Sequence, residues 1–404
     1  MGVISPLGST LESFWDSLRN GRSGIGPVTR FDATEYDSRI AGEVAGFDPD
    51  TFISPKERRR MDPYCQYAHG AAAMAVEDAG LNVDDEVPER MGVVIGSGVG
   101  GLAILHDQSQ VLVAKGPSRS SPFMIPMMIP NMAGGLIAIR YNMKGPNYAI
   151  VTACASAAHS IGDASRIIER GDADVMLAGG AEACVCELSL GGFCAMKALS
   201  TRNDEPERAS RPFDLDRDGF VVAEGAGVVV LEEMEHAKKR GAEIYCEVAG
   251  FGLTCDAFHM TAPAESGEGA ARAMSNAMAD AGVNPEEVDY LNAHGTSTAL
   301  NDKMETRAIK TALGEETARK LSVSSSKSMT GHLLGAAAAI ETAVCAMAIK
   351  NGVIPPTINY DTPDPDCDLD YVPNTAREMQ VRTCLNNSFG FGGHNACLLF
   401  TAVD

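Results

Sequence analysis

Short runs of β-branched and apolar residues alternate along the chain with Ala-rich segments of helical periodicity. The runs that predict buried strands in the first half are Met91–Ile95, Ala149–Thr152, Val175–Leu177 and Gly227–Leu231. The helical segments are Tyr64–Ala79, Ala155–Arg170 and, further along, Gly267–Ala281. Strands that alternate with helices of this length predict an α/β fold with covered sheets.

The second half repeats this alternation. Its predicted strands are Ile244–Gly252, Val288–Asn292, Leu321–Ser324 and Ala396–Phe400. The segment Gly335–Lys350 is Ala-rich and apolar on nearly every face. A helix of that kind is expected to be buried between two layers.

The two halves also echo each other locally. In Ala149–Ala157 a strand leads through small residues and Cys154 into an Ala-rich helix, and in Leu321–Ala339 a strand leads through His332 into another. We therefore predict a duplicated architecture, with one half over residues 1–240 and the other over 241–404. No low-complexity linker separates them, so we expect the halves to pack as one body.

Charge and composition narrow the class of protein. The chain has 404 residues, of which 45% are apolar and 22% charged, as in globular proteins. A net charge of −21 makes nucleic-acid binding through the overall field unfavourable. The basic run Lys56–Arg60 is a local exception, and it is either a solvated helix turn or a contact for an acidic partner.

Cysteine usage and apolar segments bear on the compartment. The 11 cysteines are scattered without a CxxC pair, which predicts reduced thiols in the cytoplasm rather than disulfides. The most apolar stretch, Phe123–Ile139, is interrupted by prolines and is too short to span a bilayer. We find no signal peptide at the start of the sequence and expect no membrane insertion.

Cys154 is the first candidate for chemistry. It follows a predicted strand and opens a predicted helix, where the helix dipole lowers the pKa of a thiol. By itself this position is weak support, because a cysteine among alanines and serines is more often a small buried residue.

Two histidines support the assignment. His294 lies in the segment NAHGTST and His332 in SKSMTGH, and both segments follow predicted strand ends, where α/β folds hold their sites. Lys327 adds a cation, and Glu341 in the apolar helix requires a partner such as Lys327 or a bound cation. Alternating Gly and Phe in Asn387–Asn395 predict a loop whose N–H groups approach a ligand, as in an oxyanion hole. A Gly-rich turn with aromatic plugs is the alternative.

Four segments, TACASAAHSIG, NAHGTST, SSSKSMTGHLLGAAAAIE and NSFGFGGHN, resemble in order and spacing the β-ketoacyl-acyl carrier protein synthase family, in particular its synthase II type. The resemblance extends over essentially the whole chain. It implies a thiolase-like duplicated αβαβα fold of five layers with two mixed sheets. It also implies decarboxylative Claisen condensation of an enzyme-bound acyl thioester with malonyl-acyl carrier protein, giving 3-oxoacyl-acyl carrier protein in fatty-acid elongation.

The resemblance also implies roles for individual residues. Cys154 would take the acyl chain, His294 and His332 would promote loss of CO₂ and stabilise the enolate, and Lys327 would polarise the site. The backbone N–H groups of Cys154 and Phe391 would form the oxyanion hole, with Phe391 as a gate. The expected substrate contacts are Thr296 and Thr298 for the phosphopantetheine arm, and Val99, Phe193, Phe389 and Ile125 for the acyl chain, Ile125 from a partner subunit.

Further expectations concern partners. The positions matching basic contacts for acyl carrier protein are Lys56, Arg59, Arg60 and Lys197. The positions matching a structural Na⁺ or K⁺ site are Asn292, Ala293, Glu341, Asn387 and Ser388. The resemblance implies a homodimer and no organic cofactor beyond the carrier protein's phosphopantetheine arm.

The chain departs from the family pattern at three places. The usual first strand is absent ahead of the PLG segment, Ala155-Ser156-Ala157 replaces Thr-Ser-Gly, and His394 replaces a Thr. A polyketide-type ketosynthase remains an alternative. The retained Cys154, both histidines and Lys327 argue against a non-catalytic chain-length subunit. A thiolase would need a second catalytic cysteine near the C-terminus, and the GFGGHN loop has none. A Cys-His hydrolase is disfavoured because no residue beyond the two histidines is a candidate base for activating water.

Overall fold

The computed structural model describes residues 1–403. Its strands are β1 (Gly2–Ile4), β2 (Gly26–Pro27), β3 (Ile40–Ala41), β4 (Met91–Gly96), β5 (Asn147–Tyr148), β6 (Val175–Glu182), β7 (Gly225–Glu232), β8 (Glu247–Cys255), β9 (Tyr290–Asn292), β10 (Ser322–Ser324), β11 (Val353–Ile354), β12 (Arg377–Glu378), β13 (Thr383–Gly390) and β14 (His394–Thr401).

The α-helices are α1 (Leu11–Arg19), α2 (Pro55–Arg58), α3 (Pro63–Asp78), α4 (Leu102–Lys115), α5 (Met124–Met128), α6 (Met132–Tyr141), α7 (Ser156–Glu169), α8 (Glu187–Ala195), α9 (Met234–Arg240), α10 (Glu268–Ala281), α11 (Ala299–Leu313), α12 (Glu315–Ala318), α13 (Lys327–Thr330) and α14 (Ala337–Asn351). Short 3₁₀ turns, among them Ala153–Ala155 and Leu334–Ala336, join several of them.

Two five-stranded mixed sheets have the same topology. The first has the order β1-β7-β6-β4-β5 and the second the order β8-β14-β13-β9-β10. In each sheet the last three strands of that order run parallel, and the first two pair antiparallel. The first sheet uses residues 2–232 and the second residues 247–401. The predicted duplication of the fold is thus confirmed.

The sheets and helices stack in five layers. Helices α3 and α6 cover the outer face of the first sheet, α7 and α14 lie between the sheets, and α10 and α11 cover the outer face of the second. The predicted burial of the apolar helix is confirmed, because every residue from Ala337 to Ala346 in α14 is buried. The stretch Leu334–Asn351 is long and apolar enough to cross a membrane by length and composition alone, but 78% of it is buried inside the protein, as in the core helices of globular proteins.

Three details differ from the sequence predictions. Ala149–Thr152 is not a strand, because the ladder with β4 ends at Tyr148 and the N–H of Thr152 turns to donate to Ser156 Oγ (2.9 Å). The first strand is not absent, since Gly2–Ile4 pairs antiparallel with Ala226–Val228. Strand β13 was not predicted at all, and its last four residues, Asn387–Gly390, belong to the segment predicted as a loop.

Candidate active site

Cys154 sits on a sharp turn between β5 and the central helix α7. The preceding Ala153 has φ +51°, a left-handed conformation that is uncommon for a residue with a Cβ. Ser388 Oγ in β13 donates to the carbonyl oxygen of Cys154 at 2.9 Å. This bond ties the turn of the first half to the second sheet, so that the thiol lies between the halves.

His332 reaches the thiol from the second half. Its N–H donates to the carbonyl of Val221 (2.7 Å), and its carbonyl accepts the N–H of Ala223 (2.9 Å). Its ring nitrogen Nε2 is 3.1 Å from Cys154 Sγ. The backbone is therefore fixed on both sides of the imidazole that is positioned to exchange a proton with the sulfur.

His294 lies beside His332. The centroids of the two imidazoles are 5.4 Å apart with their planes at 85°, and the ring of Phe389 is 5.5 Å from His294 on another side. The N–H groups of His294 and Gly295 donate to the buried carboxylate of Glu305 at 2.8 and 2.7 Å. Glu305 therefore holds the turn that carries His294, a role that the sequence analysis did not anticipate.

A buried ion pair lies behind the two histidines. Lys327 Nζ is 2.5 Å from Glu341 Oε1, and both side chains are 1% exposed. Burial lowers the pKa of both His294 and His332 well below the ordinary value, and the positive charge of Lys327 lowers it further. Both imidazoles are therefore neutral near pH 7, and each can donate an N–H to an oxygen.

The expected low pKa of Cys154 is wrong. Burial raises the pKa of this thiol to about 12, although the charge of Lys327 and the N–H groups of Phe391 and Cys154 act in the opposite direction. The thiol is only 8% exposed, so desolvation outweighs the helix dipole. A protonated thiol needs a base, and His332 Nε2 is adjacent to it.

These groups open into a cavity of about 560 Å³. The predicted residues that line it are Val99, Cys154, Phe193, Lys197, His294, Thr296, Thr298, His332, Phe389 and Phe391. The hydroxyls of Thr296 and Thr298 are 3.0 Å apart, beside the channel. The lining residues that the sequence analysis missed include Phe220, Leu334 and the segment 261–263. Phe220 packs edge-on against both Phe193 and His332, so it aligns the acyl side of the cavity with the imidazole.

The turn that carries Phe391 joins β13 to β14. Gly392 N–H donates to the carbonyl of Met260 at 2.8 Å, and Asn395 Nδ2 donates to Asp256 Oδ1 at 2.7 Å. Phe391 is 37% exposed at the cavity mouth. The predicted Gly-Phe loop is therefore a hairpin turn fastened to the segment that follows β8, which no periodicity in the sequence indicated.

Some predicted contacts lie outside the cavity. Ile125, on α5, is 55% exposed and is not among the lining residues of the single chain. Lys56, Arg59 and Arg60 are exposed on and just after α2, with the guanidinium of Arg60 4.5 Å from the centre of the Phe123 ring. Lys197, by contrast, lines the mouth of the cavity.

Several of the residues predicted to bind a cation carry unpartnered buried atoms. The amide oxygens of Asn292, Asn386 and Asn387 and the second carboxylate oxygen of Glu341, Oε2, lack hydrogen-bond partners within residues 1–403. Asn292 and Asn386 are register neighbours in adjacent strands and so share a face, and Asn386 Nδ2 donates to Ala338, one turn before Glu341. Such a set of oxygens fits a hard cation. The predicted ligand Asn387 lies on the opposite face of the sheet, where its Nδ2 donates to Glu305. Asn386, which shares a face with Asn292, was not among the predicted ligands.

The geometry defines a class of protein, a thiol-dependent acyl-transfer enzyme with two neutral imidazoles and a buried ammonium group. Family models for the beta-ketoacyl synthase N-terminal domain match residues 1–237, and those for its C-terminal domain match residues 245–361. The chain belongs to the beta-ketoacyl synthase family.

Full-length relatives agree with this membership. A "3-oxoacyl-[acyl-carrier-protein] synthase 2" from Synechocystis sp. is 54% identical over 400 residues, covering 99% of this chain and 96% of the relative. Another from Coxiella burnetii is 52% identical over 403 residues, covering 100% and 97%. Among solved structures, a beta-ketoacyl synthase from Burkholderia phymatum has a TM-score of 0.92 at 35% identity, covering 100% and 98% of the two chains. The ketosynthase of a type II polyketide system, in complex with its acyl-carrier protein, has a TM-score of 0.92 at 38% identity, with the same coverage.

Proposed function

We propose that the chain is a 3-oxoacyl-acyl carrier protein synthase of fatty-acid elongation, which condenses an acyl chain held on Cys154 with malonyl-acyl carrier protein. The observation that carries this proposal is the contact of 3.1 Å between His332 Nε2 and Cys154 Sγ, at the floor of a cavity that His294 also lines. A reactive thiol divides the condensation into two transfers.

In the first transfer, Cys154 Sγ attacks the carbonyl of an acyl thioester on the carrier protein. His332 Nε2 takes the thiol proton, and the N–H groups of Cys154 and Phe391 stabilise the oxyanion. The carrier's sulfur leaves and receives the proton. The acyl chain then remains on Cys154.

In the second transfer, the malonyl thioester loses CO₂ and the electron pair forms an enolate. The neutral imidazoles of His294 and His332 donate N–H groups to the enolate oxygen, and Lys327 supplies positive charge behind them. The carbanion attacks the acyl carbonyl on Cys154, and the C–S bond breaks. The Cys154 thiolate takes a proton from water by way of His332 Nε2, and 3-oxoacyl-acyl carrier protein departs.

The test is mass spectrometry of Cys154 after exposure to acyl carrier protein thioesters of increasing chain length. We expect acylation at Cys154 and none in Cys154→Ser after denaturation and washing. With malonyl-acyl carrier protein added, the acyl group should leave Cys154 as 3-oxoacyl product. Stable acylation of wild type at other cysteines instead of Cys154 would refute the proposal.

A polyketide-type ketosynthase is the second candidate, because the ketosynthase of a type II polyketide system resembles the chain at a TM-score of 0.92. The structure described as the ishigamide ketosynthase/chain length factor resembles it at 0.94. The curated relatives at 52 and 54% identity favour the fatty-acid role. The fatty-acid and polyketide functions differ in whether the enzyme accepts acyl chains whose β-keto groups have not been reduced. Efficient transfer of a poly-β-ketone chain to Cys154, with poor transfer of saturated chains, would favour the polyketide function.

We also propose that acyl carrier protein docks on the basic residues Lys56, Arg59, Arg60 and Lys197. Three of them are exposed near α2 and the fourth is at the cavity mouth, on a chain whose overall net charge is −21. Opposite charges steer an acidic partner to this face and make its binding sensitive to salt. Arg59→Glu should raise KM for the carrier thioester while acylation by a small thioester without carrier protein is unchanged.

We propose a homodimer formed through the edge of the first sheet. Strand β5 is that edge, and Tyr148 on it and Val151 and Ile139 near it expose large apolar side chains. An open edge with apolar neighbours is a liability unless it is paired. Ile125 would then reach the cavity of the partner subunit, as the sequence resemblance implies. In sedimentation, wild type should behave as a dimer and Tyr148→Asp as a monomer, because the new charge lies on the strand edge that pairs.

A structural Na⁺ or K⁺ ion is the last proposal in this group. Asn292, Asn386 and Glu341 would hold it through their unpartnered oxygens on one face of the second sheet. The ion would satisfy these buried oxygens and keep the strand ends in place. Raising K⁺ should therefore increase the melting temperature of wild type more than that of Asn292→Leu.

The free thiols fit the predicted cytoplasmic location, which stays a prediction.

A further inference from the structure

Glu182, the last residue of β6, is fully buried beside the cavity. Its carboxylate accepts four hydrogen bonds, from Ser97 Oγ (2.9 Å), Gly98 N–H (2.7 Å), Val99 N–H (3.3 Å) and Gly335 N–H (3.0 Å). Within residues 1–403 it forms no ion pair. A buried carboxylate without a cation is costly, so this one requires an explanation.

Two of the four donors line the cavity, and the other two, Ser97 and Gly335, are next in sequence to lining residues. Gly98 and Val99 line it on the acyl side, and Leu334, next to Gly335, lines it on the side of His332. Cys154 lines the same cavity. One carboxylate therefore links the acyl wall, which belongs to the first half, to the turn of the second half that follows His332.

At Gly98 and Gly335 the carboxylate leaves no room for a side chain. A Cβ on Gly98 or on Gly335 would lie 2.7 Å from Glu182 Oε2. Three of the four donors are backbone N–H groups, which cannot become acceptors, so they favour the ionised carboxylate. Burial raises the pKa of Glu182, and its negative charge in turn raises the pKa of the Cys154 thiol.

We propose that Glu182 is a positioning residue that fixes the Gly98–Val99 wall relative to Cys154 and thereby sets which acyl chains fit. This inference rests on the proposed function, because it concerns the acyl chain on that thiol. Val99 is nearly half exposed to the cavity, and its backbone is held by the carboxylate rather than by a strand ladder. Without the carboxylate, the wall would lose the hydrogen bonds that define its depth.

Glu182→Gln tests the proposal, because the amide keeps the shape but its nitrogen cannot accept a hydrogen bond. We expect kcat/KM for acyl transfer to Cys154 to fall on the order of tenfold or more, unequally across chain lengths. Because a negative charge is lost, alkylation of Cys154 by iodoacetamide, followed at the Cys154 peptide, should shift to lower pH. That shift reports the charge lost beside the thiol, whereas the unequal change across chain lengths reports the position of the Gly98–Val99 wall.

Glu232→Gln is the matched control. Glu232 is a largely buried carboxylate at the opposite end of the neighbouring strand β7, where Arg240 pairs with it. The same substitution there should leave both the chain-length profile and the alkylation profile of Cys154 as in wild type. Urea denaturation of both variants measures any general loss of stability.

A folded Glu182→Gln protein with the wild-type chain-length profile would overturn the proposal, whatever its alkylation profile. If that variant does not fold, Ser97→Ala removes one donor from the same carboxylate and should change the chain-length profile in the same direction by less. An unchanged profile in Ser97→Ala would then overturn it. Failure of the proposed function is distinguishable, because wild-type Cys154 would then take no acyl chain at all.

Discussion

Removing one active-site histidine at a time should separate the two transfers. His332 Nε2 is 3.1 Å from Cys154 Sγ and lines the cavity together with His294. The ring contacts of His294 are to His332 and Phe389, with no hydrogen bond to the thiol. His294→Ala should therefore impair decarboxylation and leave acyl loading nearly intact, whereas His332→Ala should impair both.

The expected size follows from the loss of one N–H donor to the enolate. In a site shielded from water, such a donor is worth about 3 kcal/mol, which corresponds to a hundredfold or greater fall in rate. Both imidazoles are neutral, because burial and then the charge of Lys327 lower their pKa. Each variant thus loses a hydrogen bond rather than a charge, and the two decarboxylation rates should fall by similar factors.

Two assays resolve the steps. Release of CO₂ from malonyl-acyl carrier protein reports decarboxylation, and the mass of Cys154 after a single exposure to acyl-acyl carrier protein reports loading. His69→Ala is the control, because His69 is also buried but lies against Arg140, away from the cavity. Normal CO₂ release by His294→Ala, or normal loading by His332→Ala, would refute the assigned geometry of the transfers.

Three further predictions concern stability and binding. Lys327→Met should lower the free energy of unfolding in urea by about 3–5 kcal/mol, because Glu341 stays buried without its partner. The double variant Lys327→Met with Glu341→Gln should recover part of that loss. A Lys327→Met protein as stable as wild type would contradict this prediction. Thr296→Val should raise KM for carrier thioesters about three- to tenfold with kcat unchanged, and a change confined to kcat would argue against binding of the pantetheine arm. Burial, then Arg140, lowers the pKa of His69 to about 4. The stability that neutral His69 contributes is therefore present above its unfolded pKa of about 6.5 and is lost as pH falls through 4, by up to about 3 kcal/mol. In urea titrations at pH 4 and pH 7, His69→Gln should lose less free energy of unfolding between the two pH values than wild type does.

The sequence predicted those features whose pattern lies in a short segment of the chain. The helix α14 is apolar on every face, which predicts burial whatever its neighbours. Cys154, His294 and His332 follow strand ends in segments of small residues, a pattern visible without knowing the fold. The structure brings these three side chains to one cavity, as the resemblance implied.

The pKa of Cys154 illustrates what the sequence could not supply. The helix start predicts a lowered value, but the depth of burial decides the sign, and that depth comes from packing between the two halves. Strand β13 was missed for a related reason. Its polar residues Asn386, Asn387 and Ser388 are buried in a central strand, where an apolar run is the usual signal. Each of them serves the site, so the local pattern fails where function imposes polar groups.

The duplicated fold explains why a single site needs both halves. Ala153 (φ +51°) and Leu334 (φ +49°) begin equivalent 3₁₀ turns, each running into a helix of the central layer. The second residue of the first turn is Cys154, and the second residue of the other turn is Gly335. A side chain on Gly335 would collide with the Glu182 carboxylate, so this copy of the turn contributes a backbone N–H instead of a nucleophile. The second half supplies the histidines and Lys327, so the complete set of reactive groups exists only where the turn that carries Cys154 contacts the second half.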